Sequence, residues 1–104
     1  MSSVILHRDI YVPNAFSPNG DNNNDLFMIY GGKEVAKIRS FLVFSRWGET
    51  VFQYYLFPPN EPPYGWDGKY RGEPMNSAVF TWFAEVEFVD GVVELFEGSV
   101  TLKR

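Results

Sequence analysis

Residues 79–89, which read VFTWFAEVEFV, decide the fold class of this chain. Large or small apolar side chains occupy every second position, namely Phe80, Trp82, Ala84, Val86 and Phe88. The positions between them include a threonine and two glutamates. Because successive side chains of a β-strand point to opposite faces, this pattern predicts a strand with one buried face, as in an antiparallel sheet.

The dipeptide Asp90-Gly91 follows this strand and predicts a tight hairpin. A type I′ turn needs a positive φ at both central residues, and Asp-Gly is one of the pairs that adopt it readily. The returning strand is expected over residues 92–102, with Gly98 as a bulge or bend within it.

Further short apolar runs lie on the N-terminal side of this hairpin, and Pro and Gly residues separate them. We expect strands at residues 10–12, 26–30, 38–47, 50–52 and 69–70. Strict alternation in the most apolar run predicts Ile38, Leu42 and Phe44 on one face and Phe41, Val43 and Trp47 on the other. The whole pattern predicts an all-β fold, an Ig-like antiparallel β-sandwich of about seven strands.

The composition is typical of one folded domain. The chain has 104 residues, of which 45% are hydrophobic and 18% aromatic, and this is enough apolar surface for a single core.

The composition also excludes several classes of function. Cys is absent and His7 is the only histidine, which excludes disulfides and disfavours metal or catalytic sites built on these residues. The net charge of −4 disfavours nucleic-acid binding. We expect no membrane insertion and, since no phosphate loop or Ser-centred elbow is present, no enzyme activity.

Asp21, Asn23 and Asp25 stand at alternate positions in a D-x-N-x-D pattern. This spacing matches the first three ligand positions of oxygen-rich calcium loops. However, Leu26 occupies the position where such loops turn at a Gly, and the terminal bidentate Glu is missing. The alternative, which we favour, is an Asx-turn loop whose side chains bond their own backbone. Calcium, bound at a weak site, is thus the one cofactor for which the sequence offers candidate ligands.

Two tryptophan motifs, Arg46-Trp47-Gly48 and Gly65-Trp66-Asp67-Gly68, flank an aromatic, Pro-rich stretch. We interpret Trp47 and Trp66 as buried apolar anchors, with the glycines allowing tight turns. Arg46 and Asp67 are candidates for an ion pair across the two turns. The alternative is a sugar-stacking platform within residues 54–66, which would make the chain a carbohydrate-binding or adhesive module.

These motifs belong to a longer series in a fixed order: VPNAFSPNGD at 12–21, NDLF at 24–27, FSRWGETVF at 44–52, GWDGKY at 65–70, GEP at 72–74 and GSVTLKR at 98–104. With this series the chain resembles the gliding motility-associated C-terminal domain, the type B sorting domain of type IX secretion. The motif residues that carry the resemblance are Pro13, Asn14, Phe16, Pro18, Asn19, Gly20, Asp25, Phe27, Arg46, Trp47, Gly48, Trp66, Asp67 and Gly68.

The resemblance implies an Ig-like sandwich without catalytic activity that serves as an address on an exported protein. The attached cargo would lie N-terminal to it and would pass through the periplasm and the outer membrane to the cell surface or medium. The outer-membrane translocon, with a porin-like partner protein, would recognise the address. Residues 10–104 then form one sorting domain, and residues 1–9 are a linker or the start of an excised piece.

The predicted last strand ends on two cations, Lys103 and Arg104. They are either a solvated strand end or an exposed terminus that a receptor protein recognises. A purely structural Ig-like spacer of a surface protein remains a further alternative.

Overall fold

The computed structural model describes residues 10–18, 25–61 and 64–103, and within these ranges the chain forms nine β-strands. In chain order the strands are β1 (Ile10–Tyr11), β2 (Ala15–Phe16), β3 (Tyr30–Gly31), β4 (Val35–Phe44), β5 (Thr50–Phe57), β6 (Lys69–Tyr70), β7 (Glu73–Pro74), β8 (Ala78–Phe88) and β9 (Val93–Leu102).

The main sheet has five strands in the order β2-β9-β8-β4-β5, and its middle strand is the one that the alternating stretch predicts. The alternating apolar side chains of β8 are all buried: Phe80, Trp82, Ala84, Val86 and Phe88. Ala84 lies opposite Phe41 of β4 and Phe96 of β9, so the smallest member of the row leaves room for two aromatic rings. The predicted strand is confirmed, and its buried face is one wall of the core.

Short segments cover this face and form the second layer. β1 pairs with β3, β6 pairs with β7, and Phe27 pairs with Trp66 in an isolated bridge. Prolines such as Pro13 and Pro18 lie between these segments, and a proline cannot donate a hydrogen bond to a ladder. The predicted all-β sandwich is confirmed, with an uneven second layer in place of a sheet of long strands.

One pairing departs from the expected antiparallel arrangement. β2 runs parallel to β9, with Phe16 opposite Leu102. The Thr101 N–H donates to the Asn14 carbonyl at 2.9 Å, and the Lys103 N–H donates to the Phe16 carbonyl at 3.0 Å. The main sheet is therefore mixed, and the N-terminal segment holds the end of the last strand.

The faces of β4 differ from those that strict alternation predicts. Ile38 is buried together with Phe41 and Val43, whereas it was expected on the face of Leu42. The register of β4 against β8 shifts by one residue at Arg39. An extra residue in one strand reverses which side chains face the core beyond it.

The predicted two-residue type I′ turn between β8 and β9 is wrong, because the loop has three residues. The Gly91 N–H donates to the Phe88 carbonyl at 2.9 Å. Gly91 has a positive φ of 88°, whereas the φ of Asp90 is not positive. This is a three-residue loop in which a type I turn is followed by a left-handed glycine.

The same loop form recurs between β4 and β5. Residues 46–48 make the turn, the Gly48 N–H donates to the Ser45 carbonyl at 2.9 Å, and Gly48 has a φ of 85°. The type I′ pattern occurs instead between β6 and β7, where Arg71 and Gly72 have φ values of 55° and 80°.

Gly98 has a packing role rather than the predicted bulge. It pairs in regular register opposite Trp82, so the bulge prediction is wrong. A Cβ atom on Gly98 would lie 3.0 Å from the indole of Trp82, which is only 7% exposed. The glycine is therefore needed for the close approach of a buried aromatic ring.

Candidate functional site

Motif residues from distant parts of the sequence meet in one buried group of rings. Phe16 and Phe27 stack with 5.7 Å between ring centroids, and Phe16 lies 5.4 Å from Trp66. Trp66 contacts Phe80 of β8 edge-on at 5.0 Å. All four side chains are at most 3% exposed. This aromatic cluster (Phe16, Phe27, Trp66 and Phe80) joins the second layer to the main sheet.

Trp66 is fixed both by its backbone and by its indole ring. It exchanges two backbone hydrogen bonds with Phe27, each of 2.9 Å. Its indole Nε1 donates to the Lys69 carbonyl at 2.9 Å, which satisfies the single polar atom of the side chain. With an exposed fraction of 1%, Trp66 is the buried anchor that the sequence predicts.

The residues after Trp66 form the turn that leads into the β6–β7 ribbon. Asp67 is exposed, and its Oδ1 accepts the Lys69 N–H at 3.1 Å. Gly68 has a φ of 81°, and its carbonyl accepts the Met75 N–H at 2.9 Å. These bonds close the loop from which the ribbon projects.

Trp47 is exposed, and its prediction as a buried anchor is wrong. Its side chain is 85% exposed at the tip of the β4–β5 hairpin. The physical reason is that β4 ends at Phe44, so Trp47 lies in the three-residue loop beyond the sheet. The Arg46 guanidinium lies 5.5 Å from the centroid of the Trp47 ring, in cation–π contact.

The predicted ion pair between Arg46 and Asp67 is also wrong. Neither residue forms an ion pair with the other; ion pairs elsewhere in the described part of the chain include those of Glu87 with Lys37 at 3.9 Å and with Arg39 at 3.1 Å. The Asp67 carboxylate instead accepts a backbone N–H of its own turn. Arg46 is left with the Trp47 ring as its partner at the hairpin tip.

A shallow groove of about 170 Å³ adjoins this tip. Its apolar lining consists of Trp47, Met75, Ala78, Val79 and Phe80. The groove could not be predicted from the sequence, because its walls come from the hairpin loop, from Met75 and from the start of β8, which the sheet pairing brings together. The signal that could have revealed it is Trp47 itself, because a tryptophan beyond the end of β4 is exposed to solvent.

The aromatic residues between Tyr54 and Tyr64 pack on one another. The rings of Tyr54 and Tyr64 meet at 77°, and Tyr64 stacks on the buried Phe57 with 5.2 Å between centroids. Tyr55 is 52% exposed. Edge-on rings offer no common flat surface, so this group does not favour the sugar-stacking alternative.

The other motif residues are placed as follows. Pro13 and Pro18 are half-buried on either side of β2, and the Asn14 carbonyl accepts a hydrogen bond from β9. Lys103 is exposed, while its backbone N–H bonds to β2. Arg104, Asn19 and Gly20 lie outside the described residues.

Of the three candidate calcium ligands, only Asp25 belongs to the described residues, where it is half-buried. Asp21 and Asn23 lie outside them. Within the described ranges, no group of three or more His, Cys, Asp or Glu side chains is placed to hold a metal ion. The calcium site therefore stays a prediction.

The arrangement defines a class of protein: a β-sandwich with the aromatic motif residues Phe16, Phe27 and Trp66 in its core and with the exposed motif residue Trp47 at a hairpin tip. Among the residues that the structure describes, none belongs to a helix of the length and apolarity needed to cross a membrane. A family model for the CHU_C type IX secretion signal domain matches residues 10–102, and the chain belongs to this family. None of the curated proteins matches it.

Membership of this family identifies the chain as a type IX secretion signal domain. Such a signal directs export through the outer membrane to the cell surface or medium, so the predicted function and destination are confirmed. It also implies that the secretion machinery recognises the domain and that cargo is attached on its N-terminal side. The family is one of secretion signals and not of enzymes.

Proposed function

We propose that this domain is a non-catalytic address of the type B class, which a porin-like outer-membrane partner of the translocon reads in its folded state. One observation carries the proposal: three aromatic residues of the motifs lie in the core. Phe16, Phe27 and Trp66 are at most 2% exposed. A receptor cannot touch these side chains while the domain is folded. These three motif residues therefore specify the fold, and the receptor reads the surface that this fold displays.

The strand end supports a partner contact at one end of the sheet. The Lys103 N–H bonds to the Phe16 carbonyl at 3.0 Å, so the backbone is held up to this residue. We include the Lys103 side chain, with Arg104 beside it in sequence, in the partner surface. An ordered backbone presents a charge at lower entropic cost than a frayed one.

The porin-like partner is tested by genetics in a host that has the type IX machinery. A fluorescent protein that carries the 104-residue chain at its C-terminus is expressed with and without the gene for the partner. We expect export to fall to background without the partner, while cargo with a sorting domain of another class is exported normally. Undiminished export without the partner would contradict this assignment.

A carbohydrate-binding or adhesive function is the other candidate, and no contact among the described residues favours it. Its remaining support is the exposed ring of Tyr55. Binding to a glycan array by the wild-type domain, with loss in Tyr55→Ala, would reopen it.

A further inference from the structure

Trp47 is the most exposed large hydrophobic side chain in the described part of the chain, at 85%. The two other tryptophans, Trp66 and Trp82, are 1% and 7% exposed. Exposing an indole to water forgoes the free energy that burial of its large apolar surface would supply. Tryptophan is also one of the residue types enriched among the side chains that dominate protein interfaces. The position of Trp47 therefore calls for a role outside the core.

The loop holds the backbone at Trp47 in a defined conformation. The Ser45 N–H donates to the Glu49 carbonyl at 2.8 Å, and the Gly48 N–H donates to the Ser45 carbonyl at 2.9 Å. The Ser45 hydroxyl oxygen accepts the backbone N–H of Trp47 at 3.2 Å and that of Glu49 at 3.3 Å. Four hydrogen bonds in one short turn reduce the entropy that a partner must remove on binding.

The surroundings of Trp47 combine apolar surface with positive charge. The groove beside it is lined by Met75, Ala78, Val79 and Phe80, and Val79 is 56% exposed. The Arg46 guanidinium stacks on the indole and has no carboxylate partner among the described residues. The acidic side chain of the same loop, Glu49, instead accepts the Tyr70 hydroxyl at 3.1 Å.

The sheet register brings a second cation to this end of the molecule. Phe44, just before the loop, pairs with Thr81, and Ala78 at the start of β8 pairs with Leu102. The hairpin tip and Lys103 therefore project from the same end of the main sheet. Charge complementarity then favours an occupant that brings negative charge to an apolar groove.

We propose that the tryptophan tip, defined as Arg46, Trp47 and the adjoining groove, docks a protein segment of the secretion machinery that presents a large apolar side chain next to a carboxylate. The apolar side chain fills the groove against the indole, and the carboxylate pairs with Arg46. This inference rests on the proposed function, because it names the surface that the outer-membrane partner reads.

The test measures the exported fraction of the fluorescent fusion with the full chain in a host that has type IX machinery. Trp47→Ala and Arg46→Glu are the test variants. Leu95→Ala is the matched control, because Leu95 is also apolar and is 65% exposed on β9. We expect about a tenfold or greater loss of export in the two test variants and less than about a twofold change in the control. Arg46→Lys, which keeps the charge, should retain more export than Arg46→Glu.

Thermal unfolding of the purified fusions accompanies the export assay. All variants should melt within about 4 °C of the wild type, since surface substitutions change stability little. A much lower melting temperature for Trp47→Ala would assign the side chain to the fold and overturn the docking role. Sedimentation provides a further check, because a wild-type dimer that Trp47→Ala dissociates would make a second copy the occupant and overturn the proposal.

The outcomes separate this inference from the function on which it rests. Normal export of Trp47→Ala alongside an exported wild type overturns the tryptophan tip and leaves the address function intact. Normal export with loss of glycan binding would make the tip a saccharide surface and equally overturns the docking role. A wild-type fusion that stays in the periplasm contradicts the proposed function itself.

Discussion

Phe27 and Trp66 bond to each other through both backbone N–H and C=O groups, at 2.9 Å each way, and both side chains lie in the aromatic cluster. The pair joins two sequence motifs that are far apart in the chain. It also closes the second layer over β8. The ring centroids of Phe27 and Trp82 are 6.4 Å apart, and those of Trp66 and Phe80 are 5.0 Å apart. The stability of the domain should therefore depend strongly on these two residues.

Replacement of Trp66 by Ala should destabilise the domain severely. Removal of a buried large aromatic side chain costs about 3–5 kcal/mol, and a domain of this size has about 5–15 kcal/mol in total. Trp66→Phe should be milder, although it leaves the Lys69 carbonyl without its indole donor. Denaturant unfolding of the purified domain measures both losses, and export of the fusion should fall in the same order.

Trp47→Ala is the matched control for this experiment, because the residue type is the same and the burial is opposite. It should change the free energy of unfolding by less than about 0.5 kcal/mol. A loss below about 1 kcal/mol in Trp66→Ala would contradict the anchor role of Trp66.

Gly98→Ala should destabilise the domain through a specific clash with Trp82. The new Cβ would lie 3.0 Å from a buried indole, which has little room to move. Overpacking of this kind costs about 1–3 kcal/mol. A double-mutant cycle with Trp82→Phe should show a coupling of about 0.5 kcal/mol or more, because the smaller ring relieves the clash.

Gly48→Ala serves as the control for that cycle. A Cβ on Gly48 meets no atom within 4 Å, so its cost comes from the positive φ alone, about 1–2 kcal/mol. It should be additive with Trp82→Phe. Strict additivity of Gly98→Ala with Trp82→Phe would show that the indole does not rest on the glycine.

The strand β8 could be predicted from the sequence because the pattern that specifies it lies within the strand itself. Alternation of side chains along one strand needs no knowledge of the partners, and the five apolar positions from Phe80 to Phe88 are all buried. The turn residues were likewise recognisable, since Gly48 and Gly91 both adopt a positive φ.

The faces of β4 and the exposure of Trp47 could not be predicted, because they depend on where pairing stops and slips. The register shift at Arg39 reverses which side chains of β4 face the core beyond it, and no residue type at this position predicts the shift. Trp47 has the composition of an anchor, and only the end of β4 at Phe44 places it in solvent. For the same reason, the groove beside Trp47 required the pairing of β4 with β8.

The second layer was predicted in kind but not in form. Its contacts join segments that are distant in sequence, such as the parallel pairing of Phe16 with Leu102. Local propensity carries little information about such pairings. The sequence predicts both Trp47 and Trp66 as anchors, and only Trp66, at 1% exposed, is buried.

The D-x-N-x-D pattern of Asp21, Asn23 and Asp25 predicts, at most, weak calcium binding. Binding to the folded state would raise the melting temperature by mass action, by no more than about 4–8 °C for a gain near 1 kcal/mol. Thermal unfolding in several millimolar calcium is compared with unfolding in chelator, and Asp21→Ala is the control that should abolish any rise. Equal melting temperatures in the two conditions would discard the calcium site.

The most direct test of the central claim is the dependence of export on the position of this domain. A fluorescent protein with the chain at its C-terminus, and the same protein with the chain at its N-terminus, are expressed in a host that has type IX machinery. We expect that the first fusion reaches the cell surface or medium and that the second does not. Retention of both fusions in the periplasm, while a control sorting domain is exported, would contradict it.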